Sequence, residues 1–164
     1  MKIRNGNIND LTPVKQLGQN TWKQFQKDLT KKNWEKLSSL LSNESLYNNL
    51  LINSKSFVCE NEKGEIIGMS FLVSSGNPTD IYNEEQCYIR FVTVSEKYKG
   101  LKIGQKLTEE CIEFAKNSGE KKIALHTSIF MNKARHIYEK LGFEIIKEIE
   151  PRYGKKYWLY EMNL

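Results

Sequence analysis

Residues 87–107 read CYIRFVTVSEKYKGLKIGQKL, a strand-like run that passes through a short loop into an amphipathic segment. Residues 87–94 are mostly β-branched or aromatic, which is typical of a central strand. From Ile103 onward the apolar residues recur at helical spacing on one face, and Ser118–Gly119 end that pattern. The stretch therefore predicts a buried strand that leads directly into a helix.

The loop between this strand and this helix is a candidate phosphate site. The first N–H groups of a helix have no partner within it, and they lie at the positive end of the helix dipole. Glycine lets the backbone approach a ligand closely, while Lys97, Lys99 and Lys102 add positive charge or are simply solvated.

A second strand and helix follow. Residues 122–127 alternate as a strand, and Ala134, Ile137, Tyr138 and Leu141 then recur at helical spacing up to a capping Gly142. A strand–helix–strand order implies two parallel neighbours joined by a right-handed crossover.

The flanking segments predict the remainder of one sheet. A strand at residues 2–5 precedes a helix that we expect to begin near Thr12–Pro13, with Thr12 as its cap, and to end near Phe25. Residues 28–53 form one broken helix or two short ones, residues 57–73 form a hairpin, and two last strands cover residues 143–148 and 156–162. We expect an α/β (α+β) fold with a single mixed, mostly antiparallel sheet flanked by helices, as one domain over residues 1–164.

Two segments resemble the GNAT superfamily of N-acetyltransferases. YKGLKIGQKL at residues 98–107 is similar to the family's acetyl-CoA loop, and NKARHIYEKLGF at residues 132–143 is similar to its following Asn, Ala, Tyr and Gly-Phe block. Lys99 stands where the family has Arg or Gln, Lys102 where it has its first glycine, and Gly104 agrees. The resemblance implies a GNAT-like sheet whose central parallel strands splay apart.

The resemblance also implies acetyl transfer from acetyl-CoA to an amine by direct attack. Val92 would supply a backbone N–H to the thioester oxygen, and Tyr138 would protonate the departing thiolate. Tyr138 could instead belong to the apolar face of its helix, and Asn132 could either bind the pantetheine arm or cap the helix. The implied acetyl-CoA contacts are Val92, Val94, Lys99, Gly100, Lys102, Ile103, Gly104, Gln105 and Asn132.

The group that deprotonates the incoming amine is left open between Glu85 and His126, because either a carboxylate or an imidazole can accept that proton. Trp22, Phe25, Trp34 and Tyr47 could line a substrate pocket or simply pack in the core. Arg152 could hold a substrate carboxylate or a surface partner.

Composition narrows the function classes. The 164 residues carry a net charge of +5, which suits an anionic ligand, but there is no basic block or zinc-finger spacing typical of nucleic-acid binding. Three scattered cysteines and no metal-ligand cluster argue against a disulfide scaffold or a metal centre. No apolar run is long enough to span a membrane, so we expect a cytoplasmic protein.

Two other functions compete with catalysis. A non-catalytic acyl-CoA-binding sensor or regulatory module would bind the same ligand without turnover. A dinucleotide-dependent oxidoreductase ranks lower, because the full GxGxxG spacing is missing. An exposed strand near the C-terminus could also pair two copies of the chain as a homodimer.

Overall fold

The computed structural model describes residues 1–164 and contains one seven-stranded sheet. Its strands are β1 (Lys2–Asn5), β2 (Lys55–Glu60), β3 (Ile66–Val73), β4 (Gln86–Val94), β5 (Lys122–Ser128), β6 (Glu144–Arg152) and β7 (Lys155–Asn163). The helices are α1 (Leu11–Trp22), α2 (Lys31–Ser42), α3 (Glu44–Asn53), α4 (Ile103–Asn117) and α5 (Asn132–Lys140).

The strands lie in the order β1-β2-β3-β4-β5-β7-β6. Only β4 and β5 run parallel, and every other neighbouring pair is antiparallel. The mixed, mostly antiparallel sheet expected from the sequence is confirmed.

Helices cover both faces of the sheet. On one face α4 and α5 bury a core that includes Leu107, Cys111, Ile123 and Leu125. On the other face α1 and α3 pack on β2 and β3 around fully buried Tyr47 and other apolar side chains, and α2 packs on α1. The two layers leave the central pair β4–β5 between them.

The start of α1 differs from the expectation. The helix begins at Leu11, and Thr12 lies in its first turn rather than at its cap. A 3-10 turn, Ile8–Asp10, precedes the helix and is closed by a capping box between Asn7 and Asp10. Arg4 also donates two hydrogen bonds of 2.8 Å to the Asp10 carboxylate, so an ion pair between residues six positions apart supports the turn that precedes α1.

The segment after α1 shows which of the two expected helix arrangements for residues 28–53 is present. The chain continues from Trp22 as a 3-10 helix, Lys23–Asp28, which contains Phe25. Residues 31–53 are two helices rather than one broken helix, and the Asn43 side chain between them accepts a hydrogen bond from the Leu46 N–H.

Strand β6 runs further than expected, through Pro151 to Arg152. It is an edge strand, where a proline removes no hydrogen bond from the sheet. The turn to β7 uses Tyr153 at φ 53° and Gly154 at φ 70°. Ile145 and Ile146 on β6 are about half exposed, at 45% and 52%, and pairing of two copies through this edge stays a prediction. No helix has the length and apolar character needed to cross a bilayer.

Candidate functional site

The central parallel strands separate soon after they meet. Strands β4 and β5 pair only at Gln86–Lys122, Cys87–Ile123 and Tyr88–Ala124, while β5 stays paired to β7 along its whole length. Beyond Tyr88, the edge of β4 that faces β5 therefore carries backbone groups without a strand partner. The splayed pair expected from the family resemblance is present, and it opens a gap towards the C-terminal ends of both strands.

A β-bulge interrupts β4 at this gap. The register with β3 shifts between Met69 and Phe71, and Phe91 takes a left-handed φ of 53°. As a result Arg90 and Phe91 point to the same face, where the Arg90 guanidinium lies 5.2 Å from the Phe91 ring centre. The bulge re-aims the backbone next to Val92, which a simple alternating pattern in the sequence did not predict.

The first turn of α4 offers free donors beside the gap. Its first backbone hydrogen bond runs from the Lys106 N–H to the Lys102 carbonyl at 3.0 Å, so the N–H groups of residues 103–105 have no helical partner. The Ile103 side chain is buried in the core, so only its backbone is available to a ligand. A Cβ on Gly104 would meet Val94 and Val92 at 3.6 and 3.9 Å, which are ordinary contacts. Protein packing alone therefore does not require glycine at residue 104.

The polar side chains of this loop differ in whether another protein group already binds them. Lys99 pairs with Glu96 at 2.5 Å and also bonds Gln24, so much of its charge is already neutralised. The Gln105 side chain bonds Glu109 at 2.8 Å, which leaves only its backbone N–H for a ligand. Lys102 is exposed, makes no ion pair and adopts the left-handed conformation at φ 59°, ψ 16°. Gly100, two residues before it, has φ 84°.

Tyr138 lies on α5 where that helix meets α4 and the sheet. It is 8% exposed and packs edge-on against Phe143, with 6.0 Å between ring centres. Burial raises the pKa of its phenol, so the hydroxyl keeps its proton. The side chain thus belongs to the core. Two polar side-chain atoms of the protein are fully enclosed without a hydrogen-bond partner, and the Tyr138 hydroxyl is not one of them.

Asn132 is the first residue of α5 and is exposed. The N-cap position is occupied by Met131, and no side chain caps the helix. The interpretation of Asn132 as a helix cap is therefore wrong, and its amide is available to a ligand.

Glu85 lies away from the gap. It precedes β4 at the end where β4 and β5 are paired, its side chain is 78% exposed, and it faces Lys122 at 3.9 Å. The structure does not bring this carboxylate to the bulge six residues later, so its geometry does not support Glu85 as the proton acceptor, and that role stays a prediction. The sequence alone does not show at which end of β4 the two parallel strands separate, because that depends on their pairing.

His126 does lie at the gap. It is two residues beyond Ala124, the last β5 residue paired to β4, and its Nδ1 is 2.6 Å from the Tyr82 hydroxyl. Burial lowers the pKa of His126 to about 4, helped by the charges of Arg152 and Arg90. The imidazole is therefore neutral near pH 7.

A series of contacting aromatic rings, here called the aromatic girdle, lies on the face opposite α4. Successive ring centres lie 4.0 to 6.4 Å apart. Its members in order are Tyr88, Tyr82, His126, Tyr157, Phe130, Phe25, Trp22 and Phe91. The two ends of the series, Tyr88 and Phe91, both belong to β4 and are not in ring contact with each other, and Arg90 lies between them in the chain.

Two of the four aromatic residues expected to line a substrate pocket or the core belong to the girdle, and two do not. Trp22 and Phe25 belong to it, whereas Tyr47 is fully buried in the core and Trp34 lines a small cavity against α1. Tyr82, Phe130 and Tyr157 were missed, because they come from three separate loops and strands. The only signal in the sequence was an excess of tyrosine near predicted loops, which is not specific.

A splayed parallel pair beside a helix start with free N–H groups defines an α/β protein built to hold a strand-like, phosphorylated ligand. The profile of the acetyltransferase (GNAT) family matches residues 18–143. The chain belongs to that family, as its two sequence segments had indicated.

Similar proteins agree with this assignment. The chain is 28% identical over 81 residues to a probable N-acetyltransferase camello from Xenopus tropicalis, covering 49% of this chain and 35% of that protein. It is 36% identical over 56 residues to N-alpha-acetyltransferase 30 of Schizosaccharomyces pombe, covering 34% and 37%. The matched part thus spans little more than a third of either relative.

A solved structure matches over nearly the whole length. The PaiA N-acetyltransferase from Thermoplasma acidophilum, solved in complex with coenzyme A, superposes with a TM-score of 0.79 at 16% identity. The match covers 99% of this chain and 98% of that one, and it shows a shared fold.

Proposed function

We propose that the protein is an acetyl-CoA-dependent N-acetyltransferase. The observation that carries the proposal is the gap between β4 and β5, which follows only three paired positions and opens beside the free N–H groups of α4. Family membership supports the same reaction class.

The residues present suit the cosubstrate. The N–H groups of residues 103–105, with Lys102 and Gly100, would bind its phosphates, because a helix start favours negative charge. Unpaired backbone groups of β4, including those of Val92 and Val94, would bind the amides of its pantetheine arm as a missing strand would. Asn132 lies free at the start of α5 to contact the same arm.

The chemistry is a direct attack on the thioester. The nitrogen–carbon bond forms, the carbon–sulfur bond breaks, and the backbone N–H of Val92 next to the bulge stabilises the charge on the carbonyl oxygen. Bound acetyl-CoA supplies the acyl group. In the course of the reaction the amine loses a proton and the thiolate gains one.

Tyr138 is our candidate for the proton donor. The same burial that raises the pKa of its phenol also raises the pKa of the neighbouring Cys111 thiol to about 12. The protonated phenol is the group on α5 that can donate a proton to the departing thiolate.

His126 is our candidate for the proton acceptor. Its depressed pKa keeps a neutral imidazole at the gap, and the Tyr82 hydrogen bond fixes the ring. The proton then passes to solvent, which also reprotonates Tyr138 after each turnover.

Thermal denaturation and thiol release test the proposal together. Acetyl-CoA at about 100 times its Kd should stabilise the fold by about 2.7 kcal/mol. Thiol release with an amine panel should fall by about 10²- to 10⁴-fold in Tyr138→Phe, while stabilisation by acetyl-CoA persists. Tyr47→Phe, which removes another buried hydroxyl on the opposite face of the sheet from Tyr138, is the matched control.

The outcomes separate the alternatives. Absence of stabilisation by both CoA and acetyl-CoA at millimolar concentration refutes the proposal. Stabilisation without turnover on any amine would instead identify a non-catalytic acyl-CoA-binding module. A cytoplasmic location, a single domain over residues 1–164 and a homodimer stay predictions.

A further inference from the structure

We propose that the acceptor amine carries a carboxylate, and that Arg90 and Arg152 hold it above the gap. This inference rests on the proposed function, since it names the substrate class of the same site. Nothing in the GNAT-like loops dictates it, because both arginines lie on the opposite face of the sheet.

Arg90 is placed at the reaction centre by the strand geometry. It lies two residues beyond Tyr88, as His126 lies two residues beyond Ala124, so the two side chains flank the point where β4 and β5 part. The bulge at Phe91 comes directly after it. We therefore assign a group bound by Arg90 to the same opening as an amine that approaches His126.

Arg90 has no protein partner for its charge. It is half-buried and makes no ion pair or side-chain hydrogen bond. Its guanidinium makes a cation–π contact with the Phe91 ring, 5.2 Å from the ring centre. Leaving a partly buried guanidinium unpaired is unfavourable. A guanidinium fork matches the two oxygens of a carboxylate, which would remove that cost on binding.

Arg152 also keeps an unused donor. One terminal nitrogen bonds Asp80 at 2.6 Å, while its Nε is buried and has no partner. Asp80 itself is 76% exposed, so it does not enclose the guanidinium. The Nε–H therefore has no acceptor within the protein, and it is the second donor that we assign to the anion.

The two positive charges act on one place. Both arginines oppose the burial-induced rise in the pKa of Tyr82 and Tyr153, and both help to lower the pKa of His126. The other groups at this face are the neutral Tyr88 and Tyr157. Its carboxylates already have partners: Asp80 pairs with Arg152, and Glu161 accepts from Gln86 and faces Lys122 at 3.8 Å. The site is therefore net positive, which favours an anionic group and repels polyamines.

The remaining wall is the aromatic girdle, with half-buried Trp22, Phe25 and Phe130. Such walls favour an apolar side chain on the acceptor. The chemistry that fits is an amino acid with a free carboxylate and an apolar side chain.

Matched acceptors that differ only in the carboxylate test this inference. Phenylalanine, phenylalaninamide and phenethylamine share the amine and the phenyl group, and methionine with its amide forms a second series. We expect kcat/KM for the free acid to exceed that for the amide by about 10- to 100-fold, as for the loss of a charge-assisted bond. Arg90→Gln should bring this ratio close to one, and Arg152→Gln should reduce it partially. Lys147→Gln, which removes an exposed and unpaired charge on β6, should leave it unchanged.

Three results would overturn the inference. They are equal use of acid and amide by the unmodified protein, a preference for phenethylamine or spermidine, and a uniform loss on all acceptors in Arg90→Gln. In each case turnover and stabilisation by acetyl-CoA would persist, so the proposed function would stand. Absence of acetyl-CoA binding would refute both.

Discussion

Lys102 offers a test that separates backbone strain from charge. It holds φ 59° and ψ 16° at the cap of α4, in a region where a Cβ approaches the carbonyl oxygen. The resemblance to the family places glycine at this position. We therefore compare Lys102→Gly, which removes both the charge and the Cβ, with Lys102→Ala, which removes only the charge.

The stability difference follows from two opposing effects. A left-handed residue with a Cβ costs roughly 1–2 kcal/mol, and glycine gives back about 0.4–1 kcal/mol through its larger unfolded-state entropy. The glycine variant should therefore be more stable than the alanine variant by about 1 kcal/mol. For a chain of this size that corresponds to a Tm higher by roughly 2–4 °C.

Ligand binding should respond differently. Loss of one exposed charge should weaken acetyl-CoA by about two- to five-fold in the alanine variant. The glycine variant should bind at least as tightly as the alanine variant, because the backbone can then approach the phosphates. Tm is measured by calorimetry and Kd by titration. A glycine variant less stable than the alanine variant would refute the assignment of strain to Lys102.

Two further predictions concern folding. Since the pKa of His126 falls from 6.5 to about 4 on folding, the unfolded chain binds the extra proton first, and stability should drop as the pH falls from about 6.5 to 4. The drop in the free energy of unfolding is at most about 3 kcal/mol. His126→Gln should flatten this pH dependence, measured by urea titrations at each pH. An unchanged slope of the free energy of unfolding against pH would contradict the buried, neutral ring. Gly18→Ala should cost about 1 kcal/mol because its Cβ would clash with the Tyr47 hydroxyl, which has no partner. Tyr47→Phe should leave the free energy of unfolding unchanged or raise it, and it should restore the stability lost in Gly18→Ala. Chemical denaturation of both single variants and the double variant measures this. Purely additive changes in the free energy of unfolding would count against the contact.

The order of helices and strands could be predicted from the sequence. The segment of residues 87–107 carries both a period-two run and a period-3.6 face, and their junction predicts the candidate phosphate site. The family blocks then placed Tyr138 and Asn132 on α5. Each of these inferences depends on residues close together in the chain.

The two sides of the gap behaved differently. The candidate cosubstrate side, with Gly100, Lys102 and Gly104, could be predicted from the sequence, since one short segment supplies it. On the acceptor side the structure places Glu85 away from the gap, and Tyr82, Phe130 and Tyr157 were missed.

Local pattern by itself determined the fold class and the helix start that offers free N–H groups, because periodicity and capping depend on neighbours in the chain. Tertiary structure alone decided where β4 and β5 part, that a bulge turns Arg90 and Phe91 to one face, and which aromatic rings meet in the girdle. The physical reason is that strand register and ring contacts join residues up to about a hundred positions apart. Their geometry comes from the packing of the whole sheet rather than from any one segment.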